Sequence, residues 1–207
     1  VERAVASSLL VVSTAKPTGV FDHANLTPNN EIYTPGSQVQ FTAKGVDSSG
    51  AAVDLPADGV FALADESFGS ITEDGLFTAN DQTGTVTVNY LSGGEVCGSV
   101  SIEIQNPDEL YFATDEISLG FEAETDFGLT ARYMGRDVHI KAGDIIWSAA
   151  NAETGEDCLG VIGTFDGNTF TSADGITITA NVTATYAGEG ELSATIRAII
   201  GMLPTLV

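Results

Sequence analysis

Ser13-Thr14-Ala15-Lys16 has the Ser-x-x-Lys spacing that sets an amine beside a nucleophilic hydroxyl in acyl-transfer enzymes. That spacing needs a helical turn, whereas here Pro17 follows at once in a strand-to-loop context. No Ser-Asp-Asn or Lys-Thr-Gly companion exists, so chance accounts for the match. His23 and His139 are the two histidines, one in each half of the chain. A metal site or a nucleophile triad needs convergent groups, and these two lie in different modules; His23 reads as an ordinary loop histidine, with local pairing to Asp22 the alternative. No His-x-x-x-His, Cys-x-x-Cys or phosphate-cradling glycine loop with lysine is present. Calcium is the one metal for which ligands abound. The acidic loop of Asn151, Glu153, Glu156 and Asp157 is the first candidate, although it lacks the alternating Asp-x-Asp-x-Asp-Gly spacing that wraps an ion. No other cofactor is expected.

Sugar binding would need exposed aromatic rings to stack on pyranose faces. Tyr33, Tyr111 and Phe112 are the candidates, because the inward phase of their strands claims Tyr90, Tyr186 and Tyr133. Trp147, the single tryptophan, reads as a core residue. Lys44 falls on the outward phase of its strand, which argues against a buried lysine–asparagine crosslink. Asn25-Leu26-Thr27 and Asn181-Val182-Thr183 fit a glycosylation acceptor that matters in a eukaryotic secretory route. Cys97 and Cys158 fall in different halves, so a disulfide would have to staple separate domains; two isolated thiols are the favoured reading.

The elements that must position these residues are strands. Gly69-Ser-Ile-Thr-Glu-Asp-Gly-Leu-Phe-Thr-Ala runs strand, Asp74-Gly75 turn, strand, and leads to Gly84 and an alternating strand with Val86, Val88 and Tyr90 on one face. The same grammar returns in Gly163-Thr-Phe-Asp-Gly-Asn-Thr-Phe-Thr, followed by Ile176, Ile178, Ala180, Val182, Ala184 and Tyr186 in alternation. The chain therefore contains one β-module twice. Closing strands carry Val100, Ile102 and Ile104 in the first copy, and Leu192, Ala194, Ile196, Ala198 and Ile200 in the second. Gly19-Val20-Phe21 and Glu31-Ile32-Tyr33 read as short edge strands, Gly45 as a bulge, and Val60 to Ala64 as a central strand. Phe61 and Trp147 are expected at the centres of the cores. Asn106-Pro107-Asp108 marks the boundary and is too short for a floppy linker.

With 207 residues, 43% hydrophobic and 17% charged, each half can bury a core without metal or disulfide. No apolar run approaches the length of a membrane helix. The net charge is −22, and residues 45–131 contain no lysine or arginine. Such a surface repels phosphate backbones and anionic lipid heads, which disfavours nucleic acid and direct membrane partners.

Phe61-Ala62, Gly69-Ser-Ile71, Glu73-Asp-Gly75, Leu76-Phe-Thr-Ala79 and Gly84-Thr-Val-Thr-Val88 together resemble bacterial immunoglobulin-like domains of the group-2 (Big_2-like) type. The second copy matches with Trp147-Ser148, Asn151, Gly163-Thr-Phe165, Asp166-Gly167 and Phe170-Thr-Ser172, but lacks the glycine before its long strand. The resemblance implies a sandwich used in series on secreted or cell-surface bacterial proteins, as spacer, adhesin segment or companion to glycan-active enzymes. Arg3-Ala-Val-Ala-Ser-Ser-Leu-Leu-Val11 is also similar to the closing strand of phosphodiester glycosidase domains of the N-acetylglucosamine-1-phosphodiester type. The catalytic residues of such a domain would lie upstream of Val1.

The expected fold class is all-β, two tandem immunoglobulin-like antiparallel β-sandwich domains. Residues 1–13 are read as the tail of a preceding domain, 14–106 and 107–201 as the sandwiches, and 202–207 as the start of a linker. The expected function is non-catalytic spacing in an exported bacterial surface protein, with neighbouring domains of the same polypeptide, and cell-wall or dietary polysaccharide, as partners. The chain is expected to be a monomer. A carbohydrate-binding or adhesin accessory region is the alternative, and a calcium-stabilised adhesion module a third reading.

Overall fold

The computed structural model describes residues 19–188 and 192–201. The terminal strand expected in residues 1–13, the Ser13–Lys16 motif, the glycosidase-like stretch and residues 202–207 lie outside them.

The first module runs β1 (His23–Thr27), β2 (Ile32–Tyr33), β3 (Gln38–Gln40), β4 (Thr42–Val46), β5 (Ala52–Val53) and β6 (Val60–Leu63). A 3-10 turn, Glu66–Phe68, then leads to β7 (Gly69–Ile71), β8 (Leu76–Ala79), β9 (Gly84–Ser92) and β10 (Glu95–Ile104). The second module repeats the order: β11 (Glu109–Phe112), β12 (Glu116–Leu119), β13 (Glu124–Asp126), β14 (Leu129–Tyr133), β15 (Arg136–His139) and β16 (Ile145–Asn151). A short helix, α1 (Leu159–Ile162), precedes β17 (Gly163–Asp166), β18 (Thr169–Ser172), β19 (Ile178–Tyr186) and β20 (Ser193–Ile200).

The duplication holds strand for strand. In the first module the sheets read β2-β10-β9-β6, β3-β8-β7 and β1-β4-β5; in the second they read β12-β20-β19-β16, β13-β18-β17 and β11-β14-β15. The chain is thus all-β and built as sandwiches. Alternation decides the inward faces: Val86, Val88, Tyr90, Val100, Ile102 and Ile104 are buried, as are Ala180, Val182, Ala184, Tyr186, Ile196, Ala198 and Ile200.

Several local expectations need correction. Gly19, Val20 and Phe21 form no strand, and the first described strand starts at His23. β6 is not central: among the described residues it pairs with β9 alone. Phe61 and Trp147 are half-buried, each on a strand that ends its sheet among the described residues. The most enclosed rings are Phe41, Phe77 and Phe170. The β1–β4 register passes Gly45 without a break. Gly45 is required instead because a Cβ there would lie 2.8 Å from the Val53 carbonyl oxygen. The bulge falls in β10, between Val96 and Gly98. Cys97 and Cys158 are both free thiols.

Candidate functional site: the seam between the modules

Ile32 and Tyr33 are two apolar residues between Pro28 and Pro35, and read as a minor edge. The structure makes them the joint. β2 pairs parallel with β10 on one side, Glu103↔Ile32 and Ile104↔Tyr33. On its other side it pairs parallel with β15 of the second module, Val138↔Ile32 and His139↔Tyr33. One seven-stranded sheet, β11-β14-β15-β2-β10-β9-β6, therefore crosses the module boundary. The backbone bonds from Glu103 N to Glu31 O (2.9 Å), Gln105 N to Tyr33 O (2.9 Å) and Thr34 N to His139 O (3.1 Å) stitch it.

Packing follows the same line. Ile32 is 1% exposed and belongs to a cluster with Leu110, Ala131, Val138, Ile145, Ala184 and Tyr186, all of the second module. A side chain of the first module thus completes a core of the second. Burying it contributes about 1.5–3 kcal/mol.

Polar groups frame this apolar plug. The Tyr33 ring stacks on His139 with centroids 4.7 Å apart. Its hydroxyl donates to Glu31 Oε2 at 2.6 Å, and His139 Nε2 lies 3.1 Å from the same oxygen. Burial, then the hydrogen bond to Glu31 and the charge of that carboxylate, push the Tyr33 phenol well above its ordinary range. Arg136 pairs with Glu103 and also donates to the Asn30 carbonyl. Thr34 is fully buried; its hydroxyl donates to Asp144 Oδ2 at 3.3 Å and accepts from Lys141 N at 3.4 Å. Lys141 Nζ is 3.4 Å from Asp144 Oδ1, and Tyr186 O–H donates to Asn106 Oδ1 at 2.8 Å. Between them lies an open polar cleft of about 550 Å³.

The exposed ion pairs contribute at most about 1 kcal/mol each and are screened by salt. Strand pairing and Ile32 hold the joint, and the ion pairs frame it.

The residues singled out for chemistry do not gather in one place. His139 is on β15 at the seam. His23 opens β1, its Nδ1 2.9 Å from Asp22. The three candidate aromatics do not share a face. Tyr33 is engaged at the seam, Tyr111 lies under the Arg132 guanidinium at 4.7 Å, and Phe112 packs inward against Phe127 and Trp147. Glu153, Glu156 and Asp157 are exposed in a loop whose turn is organised by Asn151 Oδ1, which accepts from Glu153 N and Thr154 N. Among the described residues no group of three or more His, Cys, Asp and Glu side chains converges as a metal would require.

The seam left one trace in the sequence. After the cation-free stretch of residues 45–131, Arg132, Arg136, His139 and Lys141 follow within one hairpin and its exit.

No family model matches the chain. Over 128 residues, 61% of its length, it is 26% identical to Ice-binding protein 1 of Shewanella frigidimarina. Among solved structures it is similar to domains 4 and 5 of the S-layer protein SbsC, at 14% identity over 90% of this chain and 100% of that one, with a TM-score of 0.36. It is also similar to repeats EC22-24 of mouse cadherin-23, at 14% identity over 87% of this chain and 64% of that one, with a TM-score of 0.32. The chain spans 14% of the length of the Shewanella protein, and so compares with a short stretch of a far longer polypeptide.

Proposed function

We propose that this chain is a non-catalytic spacer that holds neighbouring parts of an exported bacterial surface protein at a fixed distance and angle. One observation carries the reading: β2 is shared between the modules, so the joint is a continuous sheet and not a tether. Similarity to a stretch of a long bacterial protein supports a module working inside a larger polypeptide. The resemblance of both copies to group-2 immunoglobulin-like domains supports an extracellular setting. We take a neighbouring domain to be glycan-active on the resemblance of residues 3–11. Nucleic acid and membrane surfaces remain poor partners for a chain of net charge −22.

The test is a distance distribution between spin labels placed on Ser48 and Ala152, exposed turn positions of the two modules. The spacer reading expects one narrow distribution that broadens in Ile32→Asp. A broad distribution in the unaltered chain would end it.

A further inference from the structure

The two modules carry the same cleft, and only one of them has been opened. In the first module it lies between edge strands β6 and β7, lined by Phe61, Glu66, Gly69 and Ile71, with a volume of about 390 Å³. The repeat places Trp147, Gly160, Gly163 and Phe165 at the matching positions between edge strands β16 and β17, where the cleft has about 710 Å³.

Two differences account for the opening. In the first module the Phe61 backbone N–H donates across the cleft to the Glu73 carbonyl at 3.3 Å, tying the sheet edge to the facing hairpin. In the second the hairpin carbonyl, Gly167, takes its hydrogen bond from the indole of Trp147 at 3.2 Å instead. The larger ring stands between the edge and the hairpin, stacked on Phe165 with centroids 4.2 Å apart and planes 7° from parallel. Gly160 replaces Glu66 at the rim, and nothing lies within 4 Å of a Cβ built on it.

The edge beside this groove is unfinished. Cys158 N donates to Ala149 O and Asn151 N to Glu156 O, both at 2.9 Å or less, so residues 156–158 already act as a short added strand. By strand alternation the N–H and C=O of Ile145 and Trp147 point to that same side. Among the described residues no strand pairs with them there. β17 bounds the other wall and, among the described residues, is itself the edge of its sheet.

The groove's own lining is uncharged, and the chain next to it carries Asp144, Asp157 and Asp166 against Lys141, which is paired with Asp144. Residues 145–172, which include both walls and α1, hold Glu153, Glu156, Asp157 and Asp166 and no lysine, arginine or histidine. A second copy of this chain, at net charge −22, would be repelled. We propose that the Trp147–Phe165 groove is a strand-docking site for an extended segment of another polypeptide, one that alternates large apolar side chains with lysine or arginine. The segment pairs its backbone with the N–H and C=O of Trp147 and the C=O of Ile145, whose N–H closes the 3-10 turn Ala142–Asp144, sets an apolar side chain between the indole and Leu159, and turns its cations toward the acidic residues flanking the groove.

Trp147 is the only tryptophan, so its emission reports occupancy directly. The whole chain is titrated with three synthetic peptides: one alternating valine and phenylalanine with lysine, the same peptide with glutamate for lysine, and the lysine peptide N-methylated at alternate amides. The expected result is saturable quenching or blue shift with the first, weakened about tenfold or more by either change, because one removes the charge match and the other the backbone bonds. Gly160→Glu, which restores the rim of the first module at an open position, should leave the melting transition in place and abolish the response. The site is overturned if the lysine peptide gives no saturable change, or if the N-methylated peptide binds equally, which would mean charge attraction alone. Undiminished binding in Gly160→Glu would also overturn it, since binding would lie elsewhere. So would competition by a soluble polysaccharide for the same emission change, or concentration-dependent dimers that vanish in Gly160→Glu. Each of these would name a different occupant.

Discussion

At the scale of single residues, Tyr33 shows how a phenol can serve as a structural acid. Its proton is held by Glu31 in a partly buried position, and the folded state keeps that proton at pH values where an unfolded chain releases it. A folded pKa raised above the unfolded value contributes stability that is complete below the ordinary phenol range, at about pH 10, and is lost as pH rises through the raised value. The melting temperature should therefore fall on the alkaline side more steeply in the unaltered chain than in Tyr33→Phe. The same variant should lose about 1 kcal/mol or less at neutral pH, the net worth of one hydrogen bond. Melting curves across neutral and alkaline pH check both; an identical alkaline slope in the two proteins would show that Tyr33 is not the group responsible. His139 completes the group by stacking on the ring and sharing the Glu31 oxygen.

At the scale of elements, the hairpins β7–β8 and β17–β18 explain why the repeat was legible. Gly69 and Gly163 begin the two hairpins at φ +149° and +155°, and at each a Cβ would stand 2.1 Å from a carbonyl oxygen of the partner strand, Thr78 or Thr171. Only glycine fits, so both copies retain it inside a recognisable pattern. Gly69→Ala and Gly163→Ala should each cost about 3 kcal/mol, measured by denaturant unfolding, with each lesion first felt in its own module. A change below about 0.5 kcal/mol at either site would show that the close approach relaxes. The long strands were equally readable, since Val86-Thr-Val-Asn-Tyr90 alternates without interruption. β1 was not: His23-Ala-Asn-Leu-Thr27 has only Ala24 and Leu26 facing inward, too little apolar signal among polar neighbours. β15 was hidden because Arg136-Asp-Val-His139 offers one buried residue, Val138. The joint escaped for a different reason. It brings Ile32 beside Val138, and no spacing along one chain reveals which distant edges will meet. The Trp147 groove was obscured by the same blindness to edges, as a tryptophan on a strand reads as core until the strand proves to have an open flank.

At the scale of the molecule, the seam has a direction. β12 is the counterpart of β2: each lies parallel to the closing strand of its own module, Leu119↔Ile200 and Tyr33↔Ile104. The residue of β12 that matches Ile32 is Ser118, which is exposed. On the other partner, the strand matching β15 is β5, Ala52–Val53, without the arginine and histidine that face Glu103 and Glu31. The joint is therefore made for this pair of modules in this order, and an array extended by the same contacts would lack both its plug and its charges. Because Ile32 completes a cluster that otherwise belongs to the second module, the two sandwiches should unfold together. Calorimetry should give one transition whose van't Hoff and calorimetric enthalpies agree. Ile32→Asp places a carboxylate among Leu110, Val138 and Tyr186, at a cost that exceeds what any seam ion pair returns. That variant should split the transition in two, with the second module melting first because it loses part of its own core. Arg136→Ala, which removes a half-exposed guanidinium from Glu103 and the Asn30 carbonyl, should leave a single transition lowered by about 1 kcal/mol or less. Two transitions in the unaltered chain, or one transition surviving Ile32→Asp, would mean that the shared sheet does not couple the modules, and the spacer would lose the rigidity its role demands.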